Sequence, residues 1–260
     1  KLIKDVKKGK YVLSLNPKTL KSSYQKVTAL QSYFSEKLIS FKNKAIDLLV
    51  TSNHNMLIEK TRGTNKLSFM KAEEYLKNKI HRIPLTSNWQ GKYVDKIYGF
   101  DSEDFMEFLG WYVSEGFTYK SGTISICQSN SANKEKCLEI ENLLQRMWLK
   151  YSYSSNKQYL ISFKQFPIKL REELKSLGKC TEKFIPRKYL DLSSELLSIL
   201  LESLTKGDGH KRLRKNKVPL WSYATTSKLL ADNIQEIAQK IGLKATIRIV
   251  DNIGKYFVAS

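Results

Sequence analysis

The chain has 260 residues, enough for one large domain or two ordinary ones, and 41% of them are hydrophobic, enough to bury a real core. Its 45 Lys+Arg against 25 Asp+Glu give a formal net charge of +20, so polyanions are the expected partners and nucleic acid the foremost of them. No basic amphipathic helix with a clean apolar face speaks for a membrane surface, no apolar run reaches spanning length, and the N-terminus is no signal peptide. Cys127, Cys137 and Cys180 are odd in number and lack CxxC spacing, and His54, His81 and His210 are scattered. Reduced intracellular thiols are expected, and neither a disulfide frame nor a zinc cluster.

In chain order, residues 1 to 98 read as β-rich. "KYVLSLNPKTLKSSYQKVTALQSYF" holds short alternating runs of Val, Leu, Tyr and Phe, broken by the turn signal Asn16-Pro17-Lys18-Thr19. "FKNKAIDLLVTSNHNMLI" adds two strands about a second turn, and "SFMKAEEYL" reads as one short helix. From Asp101 the texture changes to long helical periods that alternate with strand pairs. "SEDFMEFLGWYVSEGF" is a helix ending at Glu115-Gly116. A strand pair ending in "TISICQ", the helix "SANKEKCLEIENLLQRMWL", the strand "QYLISF" and the helix "FPIKLREELKSLG" follow.

The pattern then restarts. "SSELLSILLESLTKGDG" is a helix ending at Asp208-Gly209, "HKRLRKNKVPLWSYATT" a hairpin, "SKLLADNIQEIAQKIG" a helix, and "LKATIRIV" and "KYFVAS" are strands. The expected fold class is α+β: two pseudo-symmetric αββαββα subdomains, residues 99–180 and 181–260, after a mostly-β domain over 1–98. The second repeat lacks its last helix. Such repetition implies an approximate two-fold axis on which like elements meet.

Glu115 and Asp208 are equivalent in this repeat. Each ends an apolar helix before a glycine, and Gly116 and Gly209 suit left-handed C-caps. Small residues recur four apart, Gly110 and Ser114 in one helix and Ser203 and Gly207 in the other, so the helices can approach closely and deliver both acids side by side. Two like charges at the negative ends of two helix dipoles are unfavourable alone, and a divalent cation relieves them. Few hard oxygen ligands with room for water and phosphate suit Mg²⁺ (or Mn²⁺), and beside a basic surface the natural chemistry is phosphodiester hydrolysis. Lys211, just past Asp208-Gly209, could stabilise phosphate charge or position water, or be a solvated lysine. In the charge run "KRLRKNK", Arg212, Arg214, Lys215 and Lys217 are candidate DNA contacts on partly alternate faces.

"FLGWYVSEG" (108–116) and "LESLTKGDG" (201–209) resemble the two nine-residue motifs of the LAGLIDADG homing endonucleases. The likeness extends over the repeat, about residues 99 to 260. It implies that Glu115 and Asp208 bind the catalytic metal, and that Gln128, at the end of a first-half strand, approaches the active-site water. Thr225 is near the equivalent place in the second half. It further implies two four-stranded sheets forming a basic saddle that reads a long asymmetric site in double-stranded DNA, by a monomer, with 3′ overhangs. Lys206 stands where the family motif has an acid, and Thr205 and Glu202 are less apolar than usual, so the second motif is the more divergent. A DNA-binding protein or splicing element with an inactive nuclease, and an RNA-binding maturase, are the alternatives.

Residues 1 to 98 resemble the Hint fold of inteins, through "VKKGKYVLSLNPKT", the stretch "LLVTSNHNMLI" with Thr51 and His54 in TxxH spacing, and "SFMKAEEYLKNKIHRIPL". The likeness implies that His54 assists an acyl shift. Splicing also needs a Cys or Ser nucleophile first and a His-Asn pair last, and between Lys1 and Ser260 neither is in place, so the chain as given is expected not to splice alone. Residues 1 to 100 hold 20 Lys+Arg and 7 Asp+Glu, so most of the positive charge lies there and would add salt-sensitive DNA affinity.

Overall fold

A computed structural model describes residues 3–43, 45–61, 67–77, 80–214, 217–250 and 255–259, with the backbone alone at 212–214, 217–219, 250 and 257. The chain divides into two units, Lys1–Gln90 and Gly91–Ser260.

In the first unit, β1 (Tyr11–Leu15) and β2 (Lys21–Lys26) form an antiparallel hairpin. Its turn is held by the Asn16 carboxamide oxygen, which accepts from the Lys18 and Thr19 amides at 2.9 and 3.3 Å, and Leu20 leaves it at φ +59°. β3 (Leu38–Lys42) pairs with β4 (Asp47–Thr51), and β5 (Asn55–Glu59) with β6 (Leu67–Lys71). α1 (Ala72–Lys77) follows, and β7 (Asn88–Trp89) runs parallel to β2. "SFMKAEEYL" is therefore not one helix. Its first half completes β6, where Ser68 lies opposite Ile58 and Met70 opposite Met56, and the helix begins only at Ala72. Cross-strand pairing outweighed the helix propensity of Met and Lys. The core is small: Met56, Ile58 and Ala72 are buried, with Ile39, Phe41, Val50, Met70, Tyr75 and Ile83 packed against them.

The second unit opens with a short hairpin, β8 (Lys96–Ile97) and β9 (Phe100–Asp101). Residues just before it pack here too: Lys92 pairs with Leu192, and its carbonyl accepts from the Ser193 amide at 3.0 Å. Then come α2 (Ser102–Glu115), β10 (Gly116–Thr118), β11 (Thr123–Cys127), α3 (Lys134–Arg146), β12 (Tyr151–Ser154), β13 (Gln158–Ser162) and α4 (Ile168–Ser176). After a short α5 (Arg187–Leu190) follow α6 (Ser194–Asp208), β14 (Gly209–Arg214), β15 (Lys217–Thr225), α7 (Lys228–Lys240), β16 (Thr246–Val250) and β17 (Lys255–Ala259). The two four-stranded antiparallel sheets have matching orders, β10-β11-β13-β12 and β14-β15-β17-β16.

α2 starts at Asp101, whose carboxylate accepts from the Glu103 amide at 3.0 Å, with Glu103 and Asp104 favourable at the positive end of the dipole. Phe105, Phe108, Leu109, Trp111, Tyr112 and Val113 are all buried, so most of the helix circumference is covered, while Glu103, Asp104 and Glu107 of its first two turns reach solvent. α6 buries Leu196, Leu197, Leu200, Leu201 and Leu204. Small residues mark the line where the two meet. A Cβ on Gly110 would lie 2.6 Å from the Ser203 Cβ, and one on Gly207 2.4 Å from the Ser114 Cβ. Ser203 Oγ donates to the Glu107 carbonyl at 2.7 Å and Ser114 Oγ to the Leu204 carbonyl at 3.2 Å, so each serine ties its helix to the other. Gly110 meeting Ser203 and Ser114 meeting Gly207 means that the helices run parallel, and their C-terminal ends arrive together.

A candidate active site at the paired helix ends

The helix ends differ from the left-handed caps expected at Gly116 and Gly209. Both glycines are extended, at φ −103°, ψ 156° and φ −101°, ψ 173°, and each begins a strand directly. Their lack of a side chain serves contact instead. A Cβ would stand 2.6 Å from the Tyr112 carbonyl oxygen at Gly116 and 2.5 Å from that of Thr205 at Gly209. The chain thus turns from helix to strand within one residue and leaves the preceding carboxylate at the corner.

Glu115 and Asp208 line one open cleft of about 1130 Å³, together with Tyr112, Lys183, Tyr223 and Thr225. Burial, and then the charge of Asp208, hold the Glu115 carboxyl above its usual pKa, against the opposing charge of Lys136 and a hydrogen bond from Gln128. Although part of Asp208 reaches solvent, protein around its carboxylate displaces water and raises its pKa, while the Tyr223 hydroxyl and the charges of Lys183 and Lys136 pull it down. The two acids therefore share a site and repel there.

Their neighbours differ. Gln128 is buried one residue past β11, and its carboxamide oxygen accepts from the Asn133 side chain at 2.7 Å and the Ser129 amide at 3.3 Å. That leaves its NH₂ group for Glu115. Beside Asp208, the buried Tyr223 hydroxyl lies 3.4 Å from the carboxylate and 3.2 Å from Ser114 Oγ. Lys211 is exposed on β14, opposite Trp221 in the β15 register. Arg212, Arg214 and Lys217 have backbone places in the β14–β15 hairpin, and Lys215 lies outside the described residues. Thr225 Oγ1 accepts from the Ser227 amide at 3.1 Å, ending β15 at the cleft.

Sequence reasoning missed Lys183. It is 4% exposed, and its ammonium donates to the carbonyls of Tyr112 at 2.7 Å and Gly116 at 2.6 Å and lies 4.4 Å from the centre of the Tyr112 ring. These carbonyls belong to the α2 terminus, where a cation offsets the dipole. Burial lowers its pKa to about 8, while the charges of Asp208 and Cys180 favour the protonated form. The residue sits in a connecting segment without periodicity, so no pattern marked it. Lys206 is accounted for locally, pairing with Glu139 at 3.1 Å and Glu202 at 3.2 Å.

Thr51 ends β4 and His54 closes the turn that leads into β5 of the first unit. Thr51 Oγ1 donates to the Asn53 side chain at 2.7 Å, and the carbonyls of Ser52 and His54 accept from the Glu73 and Ala72 amides, which fixes the start of α1 on this turn.

Among the described residues no cluster of three or more His, Cys, Asp or Glu could hold a metal, so the protein would supply two carboxylates. That donor set fits Mg²⁺, which keeps several waters and takes one or two carboxylates plus phosphate oxygens. No helix among the described residues is long and apolar enough to cross a membrane.

Residues 195–257 match the family model of the LAGLIDADG-like domain. The chain is 30% identical over 114 residues to the replicative DNA helicase DnaB of Nostoc sp. (strain PCC 7120), covering 43% of this chain and 13% of the helicase. It is 26% identical over 169 residues to the DnaB of Synechocystis sp. (strain PCC 6803), covering 59% and 19%. An uncharacterized protein of Methanocaldococcus jannaschii is 27% identical over 158 residues, covering 56% and 18%. The chain thus spans less than a fifth of each curated relative it matches. Among solved structures, the homing endonuclease I-DmoI in complex with DNA and Mn is similar at TM-score 0.40 and 13% identity, over 61% of this chain and 89% of that one. The N-terminal LAGLIDADG domain of DUF199/WhiA is similar at TM-score 0.38 and 13% identity, over 61% and 74%.

Proposed function

We propose that the second unit is a site-specific, divalent-metal-dependent DNA endonuclease of the LAGLIDADG homing type, built from two pseudo-symmetric αββαββα halves. The observation that carries this reading is the convergence of Glu115 and Asp208 in one cleft at the ends of two parallel helices, at an electrostatic cost that a cation would relieve. A bound Mg²⁺ or Mn²⁺ would supply Lewis-acid activation of water and stabilise charge on a leaving 3′ oxygen. Glu115 and Asp208 would hold it. Gln128, its amide orientation set by Asn133, steadies Glu115 and offers a hydrogen-bond donor where water would enter. Tyr223 does the same for Asp208. Lys211 is assigned to phosphate charge, and Arg212, Arg214, Lys215 and Lys217 to duplex contact. The protein acts as a monomer inside the cell, on a long asymmetric site. The first unit is a Hint-like region of intein type, with Thr51 and His54 in its motif. Matches confined to short stretches of two helicases are as expected of an element inserted within a host reading frame.

A DNA-binding protein with a silent nuclease is the second reading. It is favoured by Lys183, whose ammonium already brings fixed positive charge to Asp208. The deciding experiment is cleavage of duplex DNA carrying the uninterrupted insertion site with Mg²⁺ or Mn²⁺. Cutting that Glu115→Gln and Asp208→Asn abolish supports the endonuclease. Tight binding without cutting under either metal supports the second reading.

A further inference from the structure

The two sheets differ in chemistry on the face turned away from the helices. In the first sheet, Ile124, Ile126, Tyr159 and Ile161 are fully buried on the helix side. The alternate row follows from register: Phe117, Ser125 (itself fully buried), Leu160 and Ser152 lie in one cross-strand line, Cys127, Gln158 and Ser154 in the next, and Thr123 opposite Ser162. This row contains no Lys, Arg, Asp or Glu, in a chain that is 27% charged. These strand positions therefore supply none of the positive charge that the family resemblance implies; on this sheet it falls to the turns, which hold Lys120 and Lys157.

The row presents something more specific. Phe117 and Tyr119 pack edge to face with centroids 4.7 Å apart, and the Tyr119 hydroxyl donates to the Gln158 carboxamide oxygen at 3.0 Å. With its oxygen engaged, Gln158 faces outward as an NH₂ donor beside half-buried Phe117 and Leu160. A donor next to apolar surface complements a base edge that carries an acceptor next to a methyl group. In the major groove only thymine has that pair, O4 and the C5 methyl. In the second sheet, register puts Arg212 and Arg248 in the corresponding row beside Leu220, Ser222, Phe257 and Ala259, so that row carries arginines, suited to guanine and phosphate, where the first carries none.

We propose that the β10–β13 sheet recognises thymine in one half of the DNA target, through contact of the C5 methyl with Leu160 and Phe117 and a hydrogen bond from the Gln158 NH₂ group to O4. The inference rests on the endonuclease reading, because β10 leaves the cleft directly after Glu115 and carries its outer row alongside any duplex held there.

The test starts from a target recovered by selection from a randomised duplex library, with full-length protein. Replacing every thymine by deoxyuridine in one half at a time removes only methyl groups. Binding is expected to weaken about fourfold per contacted methyl in one half, and far less in the other. In Leu160→Ala and Gln158→Leu proteins, each checked for a wild-type melting profile, the discrimination should shrink in that half alone. Equal sensitivity of both halves, a recovered target without thymine in either half, or unchanged discrimination in both variants would overturn the proposal while leaving the endonuclease reading intact. Failure to bind any duplex would overturn the endonuclease reading, and this inference with it.

Discussion

Glu115 and Asp208 occupy matching positions, each the last residue of a helix before an extended glycine, yet their surroundings are unlike. Glu115 is half-buried and met by an amide, Gln128, which Asn133 holds in place. Asp208 is more open and met by a phenol, Tyr223, with the Lys183 ammonium acting on it through space. The shared part is backbone architecture, fixed by glycines and serines at the helix crossing. The unshared part is side-chain chemistry, which the two strands and the connecting segment supply independently. The crossing therefore delivers two acids to one point, and the flanking residues make each a different acid.

The largest expected effects fall on the acids. Glu115→Gln and Asp208→Asn should each lower cleavage about a thousandfold or more, with DNA affinity changed only a few-fold, as measured by single-turnover cleavage and titration of labelled duplex. Without metal, the two should part. A carboxyl whose folded pKa lies above its unfolded value weakens the fold as pH rises through that window, and Glu115, the more buried, has the clearer stake in it. Glu115→Gln should raise the metal-free Tm at pH 7 by roughly 2–4 °C, the effect of about 1 kcal/mol in a unit of this size, and Asp208→Asn by less. Added Mg²⁺ should raise the Tm of the wild type and of neither variant.

The crossing itself comes next. Gly110→Ala and Gly207→Ala place a methyl inside 3 Å of a serine on the other helix, and each should destabilise by about 1–3 kcal/mol in thermal melts. If either is neutral, the close approach of the helices is not what brings the acids together. Lys183→Met tests the unshared side. It takes the ammonium from two carbonyls at the α2 end, of which that of Tyr112 keeps only the Gly116 amide, and should cost about 1–3 kcal/mol. Gln128→Ala is then expected to slow cleavage about tenfold to a hundredfold, and Tyr223→Phe less, because Asp208 keeps the charge of Lys183. The smallest effect belongs to the first unit: Thr51→Ala and His54→Ala should leave the cleavage rate within about twofold of wild type.

Much of this was legible in the sequence because periodicity encodes it. The long helices, the strand pairs and the two acids before glycine follow from spacing alone, and the four-residue steps Gly110/Ser114 and Ser203/Gly207 announced the crossing. Three features were not legible. The backbone at Gly116 and Gly209 is extended, because a glycine demanded by close contact and one demanded by a left-handed φ look alike in a sequence. The strand half of "SFMKAEEYL" depended on a partner, β5, that local propensity does not weigh. Lys183 was hidden because its role arises from meeting carbonyls some seventy positions earlier, a contact that no local pattern records.

The central claim, that Glu115 and Asp208 act as one metal-dependent site, is tested most directly by selecting cleaved ends from a randomised duplex library in the presence of Mg²⁺, with wild type and Asp208→Asn in parallel. One defined target cut only by the wild type, and only with metal, is the result expected. Cutting by Asp208→Asn at the wild-type rate, or cleavage undiminished in a metal chelator, would contradict it.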